Sequence, residues 1–432
     1  MKRYIIIFLI SFPMLLPAQQ QILTLEQCVE LALQNNRKVK QQSLMTETRE
    51  IAYEQARKDL LPNLSASAGQ NFSYGRVVGS DNVSRIEGKI STQTSFNLSS
   101  GVTLFDGLRL KKNIDARKAD MHASEADLDK IKSDITMSVT SAFLQTLMNR
   151  ELLKTADEQI ALTRADIAQR KLRVENGKLA EGELYELYAQ EAKEAMNSIR
   201  HENELKLSLL DLAQILELED FQQFDIIAPL DLFETELSLL SPKTVYERAL
   251  INRPEIKGAE YRLESSEKSV DIARADYLPT LTLGGDIGTG YYSSNTLKNF
   301  GTQMSENLAA GIGLSLRIPI FNKFQTRNRV KSALLEVENN RIQIEDTKLE
   351  LRKKIEQAYQ NALAAKTRWD AAEKSKTAAE ESYRFTEQKY ETERATAFEL
   401  FQAKNNLTQA LSELTQSKYE YVFRLKIMEL LM

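Results

Sequence analysis

The residues that most often carry catalysis or bind metals are sparse in this chain. His122 and His201 are its two histidines, and we interpret both as isolated from any zinc-type ligand spacing. The sequence contains no G-x-S-x-G element, no glycine-rich phosphate loop and no H-E-x-x-H pair. Cys28 is the single cysteine and cannot form an internal disulfide. We therefore predict no catalysis, no cofactor and no metal site.

Acidic side chains are plentiful but evenly matched by basic ones. The 432 residues include 61 Asp and Glu against 57 Lys and Arg, a net charge of −4. This mixture excludes a nucleic-acid-binding footprint, and most of the acids are predicted to lie on solvated helix faces. The segment "TAFE" at 396–399 has the S/T-x-x-E form of a capping box, in which Glu399 would accept a hydrogen bond from the Thr396 backbone N–H.

The beginning of the chain is typical of an exported protein. A basic start, a brief apolar run and a small residue at Ala18 predict a secretory signal peptide over residues 1–18. Cys28 lies some ten residues beyond that run, so we expect a packed residue of a first helix rather than a lipidated cysteine. No later apolar run approaches the roughly 18 residues of a transmembrane helix.

The chain repeats itself at a nearly constant offset. Shifted by 217 positions, residues 32–64 align with 249–281 without a gap, and 12 of the 33 positions are identical. Shifted by 216, "LFDG" at 104–107 meets "IFNK" at 320–323, and "GELY" at 182–185 meets "FELF" at 398–401. Three separated segments that agree on one offset indicate two copies of one unit.

Each copy contains very long helices with a seven-residue rhythm of apolar side chains. The rhythm predicts coiled-coil-like seams, and a helix of nearly 70 residues would be about 100 Å long. Such a helix suits a strut or a tube better than a globular enzyme core. The seam positions are Val139, Thr146, Leu153, Ile160, Ile167 and Val174 in the first copy, and Leu400, Leu407, Leu414, Tyr421 and Met428 in the second.

Each copy also contains two strand-like segments with strict alternation. In the last of them, Ile312, Leu314 and Leu316 oppose Gly313, Ser315 and Arg317. Alternation over 11 or more residues matches a membrane β-strand, apolar toward lipid and polar toward a lumen. A soluble antiparallel sheet with one buried face is the alternative. Pro62 and Pro279 stand where helix must change to strand, because proline disfavours a helix before it and has no N–H.

These predictions divide the chain into four parts. The signal peptide covers 1–18, the first repeat 19–217, a linker or equatorial subdomain 218–242, and the second repeat 243–432. The predicted strands span about 64–76, 91–105, 280–292 and 307–321, and the predicted long helices span about 107–174, 180–217, 322–391 and 396–430.

The duplication, the order of elements and three phrases together resemble the TolC-like outer-membrane efflux protein family. The phrases are "NRPEI" at 252–256, "LLPNL" with "YLPTL", and "LFDG" with "IFNK". The resemblance implies a mixed α/β membrane protein of the Gram-negative outer membrane. In it, three copies would form a 12-stranded β-barrel that continues as a helical tube in the periplasm. It further implies a periplasmic adaptor, or membrane fusion protein, and an inner-membrane pump as partners, either for efflux or for type I secretion.

The resemblance also implies roles for residues at the two helix turns. Gly177, Lys178 and Arg394 would belong to the tips that contact the adaptor. Glu183, Tyr390 and Glu399 would match acidic and tyrosine positions of a closed aperture, whereas Ala395 stands where the family has an arginine and Gln402 where a second acid is common. The alternative function is a non-channel periplasmic coiled-coil scaffold, with an exported enzyme a distant third.

Overall fold

The computed structural model describes residues 21–78, 85–177, 180–218, 224–228, 240–295, 297–392 and 394–432. The predicted signal peptide and Lys178 lie outside these ranges. The chain forms two compact units, each built from both repeats. Among the described residues, one unit contains 21–42 together with those of Leu128–Arg253 and Leu349–Met432, and the other contains those of Ser43–Asp127 and Pro254–Lys348.

The first unit contains a small parallel sheet and the greater part of the long helices. Strand β1 (Gln21–Leu23) pairs with β4 (Phe224–Ile226), so the predicted linker does contribute a short element. Helix α1 (Leu25–Asn35) begins at a capping box formed by Thr24 and Gln27. Cys28 on this helix is fully buried, and this burial, followed by the nearby charge of Glu26, raises the pKa of its thiol to about 12. The prediction of a packed cysteine is confirmed.

The two copies tie the junction of their first helices to the end of a later helix in the same way. Between α1 and α2 (Arg37–Lys58), the side chain of Asn36 donates to the carbonyl of Ile215 over 3.4 Å. Between α5 (Pro242–Asn252) and α6 (Pro254–Ala275), Arg253 donates to the carbonyl of Leu430 over 3.0 Å. Equivalent positions therefore perform one task with different side chains.

The long helices are α3 (Arg109–Glu175), α4 (Glu181–Leu216), α8 (Gln325–Glu391) and α9 (Ala397–Leu430). Several of the predicted seam positions are buried, namely Val139, Thr146, Ile160, Ile167, Leu400 and Met428. The seven-residue rhythm thus marks helix contacts inside the first unit. Of the helices in the described ranges, none is long and apolar enough to cross a membrane.

The second unit contains a four-stranded antiparallel sheet in the order β2-β3-β5-β6. The strands are β2 (Asn63–Val78), β3 (Arg85–Phe105), β5 (Thr280–Tyr292) and β6 (Ala309–Arg317). The register aligns Ala66, Leu98, Ile287 and Ala310 in one row, and Ser65, Ser99, Asp286 and Gly311 in the next. Because side chains alternate along strands, the rows fall on opposite faces, one apolar and one small or polar.

Strand and helix bounds differ from the predicted ones where special residues intervene. Strand β6 ends at Arg317 instead of continuing to 321, because Pro319 has no N–H for the sheet. A short helix, α7 (Phe300–Glu306), precedes β6 and was not predicted. Helices α3 and α8 begin two or three residues later than expected, since residues 107–108 and 323–324 adopt positive φ angles between 53° and 69°.

The two prolines stand directly before the first strand of each copy. Helix α2 ends at Lys58 and β2 begins after Pro62, whereas α6 ends at Ala275 and β5 begins after Pro279. The matching phrases "LFDG" and "IFNK" lie at the other end of the strand pair, at the paired positive-φ residues. Both recurrent phrases therefore mark changes between strand and helix.

Candidate functional site at the helix turns

The site lies in the first unit, where α3 turns into α4 and α8 turns into α9. Gly177 has a φ of 69°, which a glycine adopts without steric cost, and its N–H donates to the Val174 carbonyl over 2.9 Å. In the other turn the N–H of Arg394 donates to the Lys389 carbonyl over 2.8 Å. These contacts end α3 and α8 and bring the neighbouring helix ends together.

Arg170, Tyr390 and Glu183 form one connected cluster from three helices. Arg170 Nη1 donates to the Tyr390 hydroxyl over 2.8 Å, and that hydroxyl donates in turn to the Glu183 carboxylate. Arg170 Nη1 also lies 3.6 Å from Glu183 Oε2. The guanidinium carbon is 4.5 Å from the centre of the Tyr390 ring, within the range of a cation–π contact. Helices α3, α4 and α8 are thereby joined at their ends.

Burial strengthens this cluster. The Arg170 side chain is only 10% exposed and that of Glu183 is 29% exposed, so water screens their attraction less than at an open surface. The pKa of Tyr390 is raised to about 12, first by burial and then by its hydrogen bond to Glu183, while the charge of Arg170 opposes the shift. Tyr390 therefore remains a neutral hydrogen-bond donor across the physiological range.

Glu399 behaves differently from the other two residues implied for the aperture. Its carboxylate accepts from the Thr396 N–H over 2.8 Å, and its own N–H donates to Thr396 Oγ1 over 3.2 Å. This is the capping box that "TAFE" predicts, and it is formed at the start of α9. The hydrogen bonds from Thr396 lower the pKa of Glu399. The structure thus joins Glu183 to Tyr390 and assigns Glu399 to the helix cap.

Two basic residues of this site were missed in the sequence. Arg170 contacts Tyr390 directly and lies close to Glu183. Lys404 on α9 contacts α3, with its Nζ 3.0 Å from Asp166 Oδ2 and 3.1 Å from Thr163 Oγ1. Arg170 follows the seam residue Ile167 by three positions, and Lys404 follows Leu400 by four. A charge at the seam spacing of a coiled coil is the signal that could have identified both.

The histidines each have an acidic partner, which corrects their description as isolated. His122 Nδ1 lies 2.8 Å from Glu125 Oε2, and His201 Nδ1 lies 3.0 Å from Glu204 Oε2, each one helical turn away. A single carboxylate beside a single imidazole is an ordinary helix-surface pair. Within the described residues, no group of three or more His, Cys, Asp and Glu side chains could hold a metal ion.

Known proteins share both the sequence pattern and the fold. Protein CyaE of Bordetella pertussis is 25% identical over 382 residues, which cover 84% of this chain and 74% of CyaE. A solved structure of CusC superposes with a TM-score of 0.79 at 18% identity, covering 94% of this chain and 91% of CusC. The solved structure of the outer membrane protein VceC of Vibrio cholerae superposes with a TM-score of 0.75 at 18% identity, covering 94% of this chain and 95% of VceC.

A family model covers most of the chain and divides it as the repeats do. The model of the outer membrane efflux proteins matches residues 28–217 and 245–426, leaving out the whole stretch 218–242 between the two copies. The matched segments contain every residue of the Arg170, Tyr390 and Glu183 cluster. This chain belongs to the outer membrane efflux protein family.

Proposed function

We propose that this protein is the exit duct of a tripartite exporter, a passive channel built from three copies of the chain. The observation that carries the proposal is the four-stranded sheet, whose apolar face is exposed. On that face Ile312 is 81% exposed and Leu314 is 66% exposed, while the opposite face carries serines, glycines and Asp286. An apolar face outside a polar one is the arrangement of a membrane β-barrel wall.

Strand number supports three copies. Four strands do not close a barrel, because single-chain membrane barrels begin at eight strands. Two copies would provide eight strands, and an eight-stranded barrel is filled by its own side chains. Three copies provide 12 strands and leave an open lumen, which the small side chains of the polar face would line. In this assembly the long helices continue the barrel as a periplasmic tube.

Helix α4 offers a second reason for self-association. Six large apolar side chains on it are exposed in the single chain, and they form two series that repeat every 11 residues. An 11-residue repeat keeps one stripe on a nearly straight helix, as an extended helix contact requires. A stripe of this size marks an interaction surface. The stripe comprises Tyr185, Tyr188, Met196, Ile199, Leu207 and Leu210.

The cluster at the helix turns would hold the tube closed at its periplasmic end. Arg170, Tyr390 and Glu183 join three helix ends, so the tube would open when these contacts separate and α8 moves away from α4. The neighbouring turns, with Gly177, Lys178 and Arg394, would dock the periplasmic adaptor, and an inner-membrane pump would supply the energy. The family match supports this function over a non-channel scaffold.

Light scattering in detergent, corrected for bound detergent, tests the assembly. We expect a monodisperse trimer for the parent chain and for Lys206→Glu, an exposed position on α4 outside the stripe. Ile199→Glu, within the stripe, should shift the protein toward smaller species because it places a charge in the interface. A functional parent protein that is a monomer or a dimer would contradict the 12-stranded arrangement.

A further inference from the structure

Helix α7 folds back onto strand β5 through specific contacts. The side chain of Thr289 donates to the Met304 carbonyl over 2.6 Å. The rings of Tyr291 and Phe300 lie with their centres 5.2 Å apart. The helix begins at Asn299, whose side chain accepts from the Thr302 N–H. We call residues 297–308 the α7 segment.

The side of the sheet on which the α7 segment lies follows from the strand pattern. Thr289 and Tyr291 alternate in phase with Leu283 and Ile287, so all four side chains project from the apolar face. Because the contacts of α7 are made by Thr289 and Tyr291, the segment lies on the apolar side. The contacts of Gln303 with Tyr292 and of Asn307 with Gly290 are made with the backbone of β5 and not with side chains of the polar face.

The α7 segment is held firmly in this position. Gln303 is 1% exposed, accepts from the Tyr292 N–H over 3.0 Å and donates to the Lys298 carbonyl over 2.9 Å. Asn307 donates to the Gly290 carbonyl over 2.6 Å. Strand β6 starts at Ala309, opposite Gly288, so β6 does not pair with the last residues of β5. The segment lies beside β5 where the paired strand has not yet begun.

Distance along the strand assigns this position to the edge of an apolar band. Ten residues separate Leu281 from Tyr291 on the apolar face. This is about 33 Å along the strand at 3.3 Å per residue, or about 25 Å along the membrane normal at a tilt of about 40°, which matches the roughly 25 Å apolar band of a membrane barrel. At this edge Leu297 is 83% exposed and Phe300 is 50% exposed. Exposed apolar and aromatic side chains beside polar ones match the boundary between lipid headgroups and acyl chains.

We propose that the α7 segment anchors the barrel wall in lipid, with Leu297 and Phe300 inserted at the headgroup boundary of the outer leaflet. We expect the segment to contact lipid because it continues the apolar face beyond Ile287 and Ala310, the outermost pair on that face between β5 and β6. The inference rests on the proposed function, in which that face meets the membrane. The short helix then fixes the depth at which the outer end of the wall lies in the bilayer.

Tryptophan fluorescence in vesicles tests the proposal, because Trp369 is the only tryptophan of the chain. In a Trp369→Phe background, single tryptophans replace Leu297, Phe300, Ile287 or Ser67. The vesicles contain phosphatidylcholine brominated either near the headgroup or near the chain end. We expect L297W and F300W to be quenched more by the shallow bromines, I287W to be quenched more by the deep ones, and S67W on the polar face by neither.

The reporter at Ile287 distinguishes a failure of the α7 proposal from a failure of the membrane placement of the sheet. If I287W is quenched but L297W and F300W behave like S67W, the α7 segment does not contact lipid, and the membrane placement of the sheet stands. That outcome would also arise if a second copy of the chain covered the segment. If I287W is not quenched either, the apolar face does not meet lipid, and both proposals fall together.

Discussion

Lys404 Nζ lies 3.0 Å from Asp166 Oδ2 and 3.1 Å from Thr163 Oγ1, although only 7% of Lys404 is exposed. The Asp166 side chain is 38% exposed, so the two partners differ in their access to water. A buried charge that loses its partner is costly, whereas an apolar replacement of similar volume is often tolerated. Removing Asp166 should therefore destabilise the contact between α9 and α3 more than replacing Lys404 with an apolar residue of similar volume.

We predict that Asp166→Ala destabilises the first unit more than Lys404→Met does. Asp166→Ala leaves a buried ammonium without its partner, at a cost of about 2–3 kcal/mol after allowance for the exposure of Asp166. Lys404→Met keeps the volume and removes the charge, with a change of about 1 kcal/mol or less. Thermal unfolding of the detergent-solubilised protein, followed by circular dichroism, measures both. Equal losses of stability would contradict this account.

Tyr390→Phe is predicted to loosen the closed tip. It removes the hydroxyl between Arg170 and Glu183 but keeps the ring beside the guanidinium, and leaving these partly buried groups unpaired costs about 1–3 kcal/mol. We expect a larger single-channel conductance in planar bilayers. Tyr359→Phe is the matched control, since Tyr359 lies on the same helix α8 but 31 residues before Tyr390. If Tyr390→Phe conducts like the parent, the cluster does not close the channel.

Alkaline pH should open the same contact without mutation. The pKa of Tyr390 is raised from 10.0 to about 12, so the folded protein favours the neutral hydroxyl. This contribution to stability is complete below pH 10 and disappears as pH rises from about 10 to about 12. Tyr383 also has a raised pKa, through burial and Glu387, and adds to the trend. The loss of stability due to Tyr390 is the difference between the parent and Tyr390→Phe in how the free energy of unfolding falls from pH 10 to pH 12. If the two proteins lose stability equally, the raised pKa does not belong to Tyr390.

The helix cap and the aperture charge of Glu399 can be separated. Thr396→Ala should cost about 1 kcal/mol because α9 loses its N-cap, whereas Glu399→Gln keeps a side chain that suits the capping box. The pKa of Glu399 is lowered in the folded state, so its stabilisation is present above its unfolded value of 4.5 and is lost as pH falls. Unfolding curves at neutral and acid pH measure these effects.

Converging acids would also attract cations at the axis of a trimer. We expect divalent cations added from the periplasmic side to block single-channel current, and the double variant Glu183→Gln with Glu399→Gln to relieve the block. Glu399→Gln alone separates the two acids, because relief by the single variant would assign Glu399 to the aperture as well as to the cap. An unchanged block in the double variant would exclude both from the aperture ring.

The two faces of β6 predict opposite responses to arginine. Ile312 lies on the apolar face opposite Gly285, near the middle of β5, and Ile312→Arg should cost about 2–4 kcal/mol and reduce assembly in the membrane. Ser315 lies on the other face, so Ser315→Arg should assemble normally and lower the conductance by narrowing the lumen. Trimer yield and conductance measure the two effects. Equal yields of the two variants would indicate that the apolar face does not meet lipid.

Periodic and local signals in the sequence predicted much of the fold. The seven-residue rhythm, the alternating strands and the "TAFE" cap follow from spacing along a single element, and the structure contains all three. The seam spacing could have marked Arg170 and Lys404 as charges facing a neighbouring helix. It could not have named their partners, because these depend on how neighbouring helices are rotated. Helix α7 was missed because seven residues are too few to establish a helical period.

Gly107 and Lys323 occupy equivalent positions and share a positive φ, yet they are not exchangeable. A Cβ on Gly107 would lie 2.9 Å from the Leu278 Cβ and 3.0 Å from the Ala275 carbonyl oxygen, whereas the second copy carries a full lysine at this point. The exchange therefore works in one direction only: glycine suits both turns, whereas lysine at position 107 would clash with Leu278. Two identical halves would have to carry glycine at both turns.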